Sequence, residues 1–213
     1  MLSERTLSED ATPTSSAAGS AQMLSDGAEV AIRAPMQAVW DYVGDSARAT
    51  DWSVYFHHIS PKASDAQGRP LPPDGTVGSV RVCYRRADET GVRWDERVTA
   101  LEPEGRARHR CIRTYDLRGL GGVAGALAPF TAYRVEQHYR QTAPQRTTLA
   151  FRTQLARPDW WGLARLLFRR FFLPEVKRIF ALNLENIKAA VEAEQAGRAY
   201  ERPHPYEERH AWE

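Results

Sequence analysis

The middle of the chain alternates between apolar and polar residues, which is typical of β-strands with one buried face. Residues 28–33 begin this pattern, and a loop or short strand follows at 54–60. Further alternating segments then occur in succession, and they span residues 77–85, 91–101, 106–117, 131–142 and 146–156. Because short polar breaks separate most of these segments, the pattern predicts antiparallel hairpins in one sheet.

Helical periodicity appears on both sides of the sheet-forming region. Residues 35–51 fit two short helices, the first begun by Pro35 and the second capped by Asp45. Residues 160–196 fit a long helix that Pro174 kinks or splits. The helix must bury its apolar face against the concave face of the sheet, because no other element is left to cover that face. The order of elements therefore predicts an α+β fold.

Both ends of the chain contain little that a core can bury. Residues 1–26 are rich in Ser, Thr and Ala, and residues 197–213 are polar and broken by prolines. Such segments cannot offset the entropy lost on ordering, so both are predicted to be disordered tails around a domain at 27–196. Neither an export signal nor a membrane-spanning run appears in the sequence. We therefore expect a cytoplasmic protein in which Cys83 and Cys111 are unbonded thiols.

The charge balance argues against binding to nucleic acid. Lys and Arg number 29 against 27 Asp and Glu, which leaves a net charge of +2. The arginine-rich face of the predicted strands also carries Asp95, Asp116 and Glu136, and no aromatic residues are interleaved there to stack on bases. We therefore expect no nucleic-acid partner.

Four stretches of the chain resemble the SRPBCC superfamily, also called START-like or helix-grip, and within it the polyketide cyclase/dehydratase-like proteins. The stretches read VAIRAPMQAVWDYVGD, RWDERVTALEP, TTLAFRTQLA and FALNLENIKAAVE. The resemblance implies a seven-stranded antiparallel sheet wrapped around the long C-terminal helix, with a hydrophobic cavity between them. Members of this superfamily bind lipids, polyketides, sterols or quinones, and some are cyclases, aromatases or dehydratases.

Alternation along the strands predicts which residues face such a cavity. A tight turn at 103–104 would set Glu96 opposite Cys111, with His109 and Arg113 at the two diagonal positions. Glu96, His109 and Arg113 then form a polar island on an apolar floor and are the candidate catalytic residues. The candidate ligand-binding residues around them are Trp52, Trp94, Cys111, Tyr115, Tyr133, Gln137, Phe151 and Trp160.

The polar island admits two interpretations. An inward carboxylate is costly unless it is paired, so Glu96 and Arg113 can be a structural ion pair between two strands. Alternatively, the island anchors a ligand carbonyl or hydroxyl, or acts on it as an acid and base. One Glu and one His are too few ligands for a metal site, and no cofactor motif appears in the sequence.

The leading functional hypothesis is an internal cavity that binds a hydrophobic small molecule. The alternative is a cyclase-, aromatase- or dehydratase-like enzyme that works without a metal or nucleotide cofactor. The glycine-rich stretch 118–130 is interpreted as a flap over the cavity mouth. Residues 160–173 mix aromatic residues with arginines, which fits either a core helix with snorkelling arginines or a transient contact with a membrane or partner.

Overall fold

The computed structural model describes residues 24–90, 93–102, 107–113, 132–156 and 168–207. Seven strands form one antiparallel sheet in the order β1-β7-β6-β5-β4-β3-β2. In chain order they are β1 Leu24–Ile32, β2 His58–Pro61, β3 Val80–Tyr84, β4 Arg93–Glu102, β5 Ala107–Arg113, β6 Ala132–Ala143 and β7 Arg146–Ala156. The predicted antiparallel sheet is confirmed. Strands β2 to β7 pair with their neighbours in chain order, and β1 pairs with β7.

Short helices fill the connection between β1 and β2. They are α1 Met36–Gly44, a 3₁₀ turn Ser46–Arg48 and α2 Ala49–Trp52. The Asp45 carboxylate accepts a hydrogen bond of 2.9 Å from the Ala47 backbone N–H, which satisfies a donor at the start of the 3₁₀ turn. This connection delivers Trp52 to the core, where its side chain is buried.

The long C-terminal helix, α3, spans Leu173–Gln195, and a π-helical turn at Phe168–Phe172 precedes it. The π-helical hydrogen-bonding pattern changes to the α-helical one beside Pro174, because proline has no N–H to donate to the preceding turn. The sequence prediction that this proline interrupts the helix agrees with the structure. None of the helices within the described residues is long and apolar enough to cross a bilayer.

The helix α3 packs on the concave face of the sheet, as predicted. Its buried residues recur at helical spacing, and Phe180, Leu184 and Ile187 belong to one cluster with Leu149 and Phe151 of β7. The rings of Phe151 and Phe180 meet edge to face, with centroids 5.7 Å apart. Burying a side chain such as Leu184 contributes about 1.5–3 kcal/mol, so this apolar stripe holds the helix on the sheet.

The predicted pairing of β4 with β5 is wrong by one residue. Glu96 lies opposite Ile112 instead of Cys111, and Asp95 lies opposite Arg113. The pairing shifts between Val98 and Ala100, and Glu102 pairs with Ala107 across a connection longer than the assumed tight turn. A one-residue slip moves every position of a strand to the other face of the sheet, so the error changes the composition of the predicted cavity floor.

Residues 198–207, which we call the C-terminal strap, are packed on the domain instead of forming the predicted disordered tail. The Arg202 guanidinium donates to the backbone oxygens of Thr50 and Ser53, at 3.1 and 2.6 Å. Farther along, the Glu207 N–H donates to the Val54 oxygen at 2.9 Å. Hydrogen bonds and the packing of Tyr200 against the main apolar cluster thus hold the strap, which lies against the segment that carries Trp52.

Candidate functional site

Apolar side chains of β4 and β7 are buried on the concave face beneath α3, and we call them the apolar floor. Phe151 and Leu149 of β7 and Val98 of β4 are buried there. Trp52 belongs to the same buried cluster as Cys83 of β3 and Phe151 of β7, and its ring centroid is 6.3 Å from that of Phe151. Trp52 is therefore part of the core that covers the apolar floor.

One ion pair interrupts this apolar floor. Arg81 of β3 lies directly opposite Glu96 of β4, and its Nη2 and Nε lie 2.6 and 2.7 Å from Glu96 Oε2. Both side chains are more than nine-tenths buried. The prediction that Glu96 faces inward is correct, but Arg81 was not predicted there, because Val80 and Val82 make the opposite face of β3 the more apolar one. The available signal was the inward carboxylate itself, since it requires a cation on a neighbouring strand.

The electrostatics of this pair favour two charged partners. Burial lowers the pKa of the Arg81 guanidinium, but attraction to the Glu96 carboxylate and the hydrogen bond between them raise it, and the pKa ends above its ordinary value. Arg81 therefore stays cationic, and Glu96 serves as its counter-ion. Glu96 thus forms an ion pair between two strands, as the first interpretation of the polar island has it, but with a different arginine from the one predicted.

Several buried polar atoms on or beside this face lack a hydrogen-bond partner within the part of the chain that the structure describes. They are Nη1 of Arg81, Nε1 of Trp52 and Oγ1 of Thr153. Gln137, also buried, accepts a hydrogen bond of 3.2 Å from the Tyr139 hydroxyl. Buried polar groups are normally satisfied, so unsatisfied donors beside an apolar surface indicate where polar atoms of another molecule would be favourable.

The remaining predicted site residues divide into two groups. Trp52, Gln137 and Phe151 are buried at the concave face, and the backbone register puts the positions of Trp94 and Tyr133 on that face as well. Tyr115, Trp160 and the stretch 118–130 lie outside the described residues.

The predicted grouping of His109 and Arg113 with Glu96 is wrong. His109 pairs with Ala100 and Glu136, and Arg113 pairs with Asp95. Cys111, predicted to face Glu96, pairs instead with Arg97 and Arg134. These pairings put all three positions on the face opposite to that of Glu96, because partners across an antiparallel pair share a face. The positions of Arg108, Arg110 and Ile112 take their place on the concave side.

Two asparagines of α3 hold the segment that carries Trp52. Asn186 is fully buried, and its Nδ2 donates to the backbone oxygens of Trp52 and His204 at 3.0 and 2.8 Å. Its Oδ1 accepts from the His204 N–H at 2.9 Å. One turn earlier, Asn183 Oδ1 accepts from the Val54 N–H at 2.8 Å. Asn186 therefore ties together the long helix, the backbone at Trp52 and the C-terminal strap.

Comparison with known proteins finds similarity in structure alone. No family model matches the sequence. No curated protein matches it either. Among solved structures, the Zhui aromatase/cyclase from Streptomyces sp. R1128 aligns with a TM-score of 0.58 at 16% identity, covering 84% of this chain and 100% of that one.

Two further structures have the same architecture. The di-domain ARO/CYC BexL from the BE-7585A biosynthetic pathway aligns with a TM-score of 0.54 at 12% identity, over 81% of this chain and 47% of BexL. Truncated norcoclaurine synthase from Thalictrum flavum aligns with a TM-score of 0.54 at 14% identity, over 80% of this chain and 94% of that one. At such low identity the likeness establishes the fold and leaves the chemistry open. The chain therefore has the same helix-grip fold as these structures, which is the fold that its sequence resemblance implies.

Proposed function

We propose that the protein binds a largely apolar small molecule that carries oxygen acceptors, in a cavity between the concave face of the sheet and α3. The observation that carries this proposal is the set of buried polar atoms without partners among the described residues, Arg81 Nη1, Trp52 Nε1 and Thr153 Oγ1. The surrounding surface is apolar, so the ring system or chain of a ligand would be buried there. Polyketides, lipids, sterols and quinones all combine such a body with a carbonyl or hydroxyl group.

A ligand that satisfies those atoms would gain binding free energy. A buried donor without an acceptor costs about 1–3 kcal/mol, and more when it is charged. A ligand oxygen that accepts from Arg81 or Trp52 would remove that cost on binding. Discrimination between ligands would therefore come from the position of their oxygens, and affinity from the apolar area that the cavity covers.

A second candidate function is a cyclase- or aromatase-like enzyme. Arg81 favours it, because a buried guanidinium that remains cationic stabilises negative charge on the oxygen of an enolised carbonyl. Two of the structures with the same fold are named as aromatase/cyclases. In this reading Glu96 orients Arg81 through their ion pair, and proton transfer falls to another group.

The binding proposal is tested first by mass spectrometry of organic extracts from protein purified under native conditions. We expect a retained apolar compound that contains at least one carbonyl or hydroxyl oxygen. A defined probe pair complements this measurement: 1-tetralone and tetralin share a bicyclic skeleton, and only the former has a carbonyl oxygen. Quenching of tryptophan fluorescence should report tighter binding of 1-tetralone. Equal binding of the two probes, or of neither, together with empty extracts, would contradict the proposal.

Thr153 offers a sharper test, with Thr147 on the same strand as its matched control. Both residues are fully buried, but the Thr147 hydroxyl donates to the Ala34 oxygen at 2.9 Å whereas Thr153 Oγ1 has no partner in the described residues. Thr153→Val is therefore expected to leave the free energy of unfolding unchanged or raise it by about 1 kcal/mol, while Thr147→Val lowers it by about 1 kcal/mol. Urea unfolding of both variants measures the contrast. An equal loss in both would mean that Thr153 is already satisfied within the fold.

A further inference from the structure

An exposed surface that combines arginines with an aromatic ring lies where the chain enters α3. We call it the basic–aromatic surface and define it as Arg169, Arg170, Phe171, Pro174 and Lys177, all of which are exposed. Phe171 is 67% exposed, which is unusual for a large apolar side chain. The surface adjoins the concave side of the sheet, because α3 continues from it across that face.

The charges on this surface are poorly neutralised. Within the described ranges, Arg169 and Arg170 form no ion pair with any acidic side chain, and the Arg170 guanidinium lies 5.7 Å from the centroid of the Phe171 ring. Lys177 is 58% exposed and reaches Asp26 at 3.7 Å. Arg178, the next residue, differs because Glu175 and Glu207 hold it at 2.6 and 2.7 Å. The net charge of the surface is therefore positive.

We propose that this surface binds the face of an anionic lipid bilayer. Charge complementarity identifies the partner, because each basic side chain next to an anionic leaflet raises the affinity about fivefold. Phe171 supplies the other half of the interaction, since an aromatic ring flanked by arginines enters the headgroup region while their guanidinium groups remain with the phosphates. The proposal does not depend on the identity of any ligand in the cavity.

Vesicle sedimentation tests this proposal with the full chain. Vesicles of phosphatidylcholine alone are compared with vesicles that also contain phosphatidylglycerol, and binding is expected only to the latter and to weaken as salt is added. The charge-reversing double variant R169E/R170E should bind at least about 30-fold more weakly, since two attractive charges become repulsive. Phe171→Ser should weaken binding about tenfold through lost apolar burial.

The control for charge is the double variant R140E/R146E. Arg140 and Arg146 are exposed at the hairpin between β6 and β7, and their reversal changes the net charge by the same amount as R169E/R170E. This control is expected to bind within about threefold of the parent protein, because its charges lie away from the proposed contact. Absence of binding to anionic vesicles, or equal losses in the two double variants, would overturn the proposal. Binding to heparin without binding to vesicles would instead assign the surface to a soluble polyanion.

Discussion

Replacing Glu96 with glutamine is expected to lower the free energy of unfolding by about 3–5 kcal/mol. The change leaves the guanidinium of Arg81 buried without its counter-charge, and Arg81 is only 4% exposed. Glutamine keeps the shape of the side chain and one acceptor oxygen, so altered packing does not confound the result. Urea unfolding followed by circular dichroism measures the loss.

Two further variants separate the charge effect from other causes. Asp95→Asn removes the neighbouring carboxylate, which forms an ion pair of 2.9 Å with Lys62. Both side chains of that pair are more than one-third exposed, so the substitution should lower the free energy of unfolding by at most about 1 kcal/mol. The double variant Arg81→Met with Glu96→Leu removes both charges and should recover most of the stability lost in Glu96→Gln. If Glu96→Gln leaves stability intact but abolishes retention of the extracted compound, Glu96 is a ligand contact in a hydrated cavity and its structural role is refuted.

Asn186→Leu is the second change with a large expected effect. It keeps the branching and the number of heavy atoms of a fully buried side chain but leaves the backbone groups of Trp52 and His204 without their partners. Each buried group left unsatisfied costs about 1–3 kcal/mol, so global stability should fall and local order should fall further. Hydrogen exchange of the amides in residues 52–55 and 198–207 should accelerate together, because one side chain holds both segments.

Arg198→Leu serves as the control for this experiment, because Arg198 is the exposed first residue of the strap and the substitution adds the same apolar side chain. Its unfolding free energy and exchange rates should match those of the parent protein. If exchange accelerates in the strap of Asn186→Leu but not around Trp52, then the strap is held independently and does not position the Trp52 segment.

The secondary structure was predictable because its signals are local. Apolar and polar residues alternate with a period of two in the strands, and apolar residues recur at helical spacing in α3, so segments such as Arg146–Ala156 are recognisable without knowing their neighbours. The inward face of β7 and the burial of Phe151 followed directly from that alternation. The antiparallel sheet and the position of α3 on it then followed from the order of elements and the need to cover one apolar face.

The pairing between strands was harder to predict, because it depends on turn length and on β-bulges that the sequence pattern does not reveal. The shift in register at Thr99 and the longer connection between β4 and β5 together moved His109 and Arg113 away from Glu96. A strand rich in arginines gives no clear choice between its two faces, because neither face is strongly apolar. The catalytic grouping predicted around Glu96 failed for this reason, while the inward placement of Glu96 itself was correct.

Local periodicity and the need to cover one apolar surface were thus sufficient for the order of elements and for the inward placement of Gln137 and Phe151, and the family resemblance added the helix-grip architecture and the position of Trp52. The partner of Glu96 and the ordering of the C-terminal strap depended on the folded chain. Arg81 is separated from Glu96 by a hairpin, and the strap has a composition typical of disorder. Its order comes from hydrogen bonds with Asn186 and with the backbone of residues 50–54, groups that come near it only after α3 has packed on the sheet.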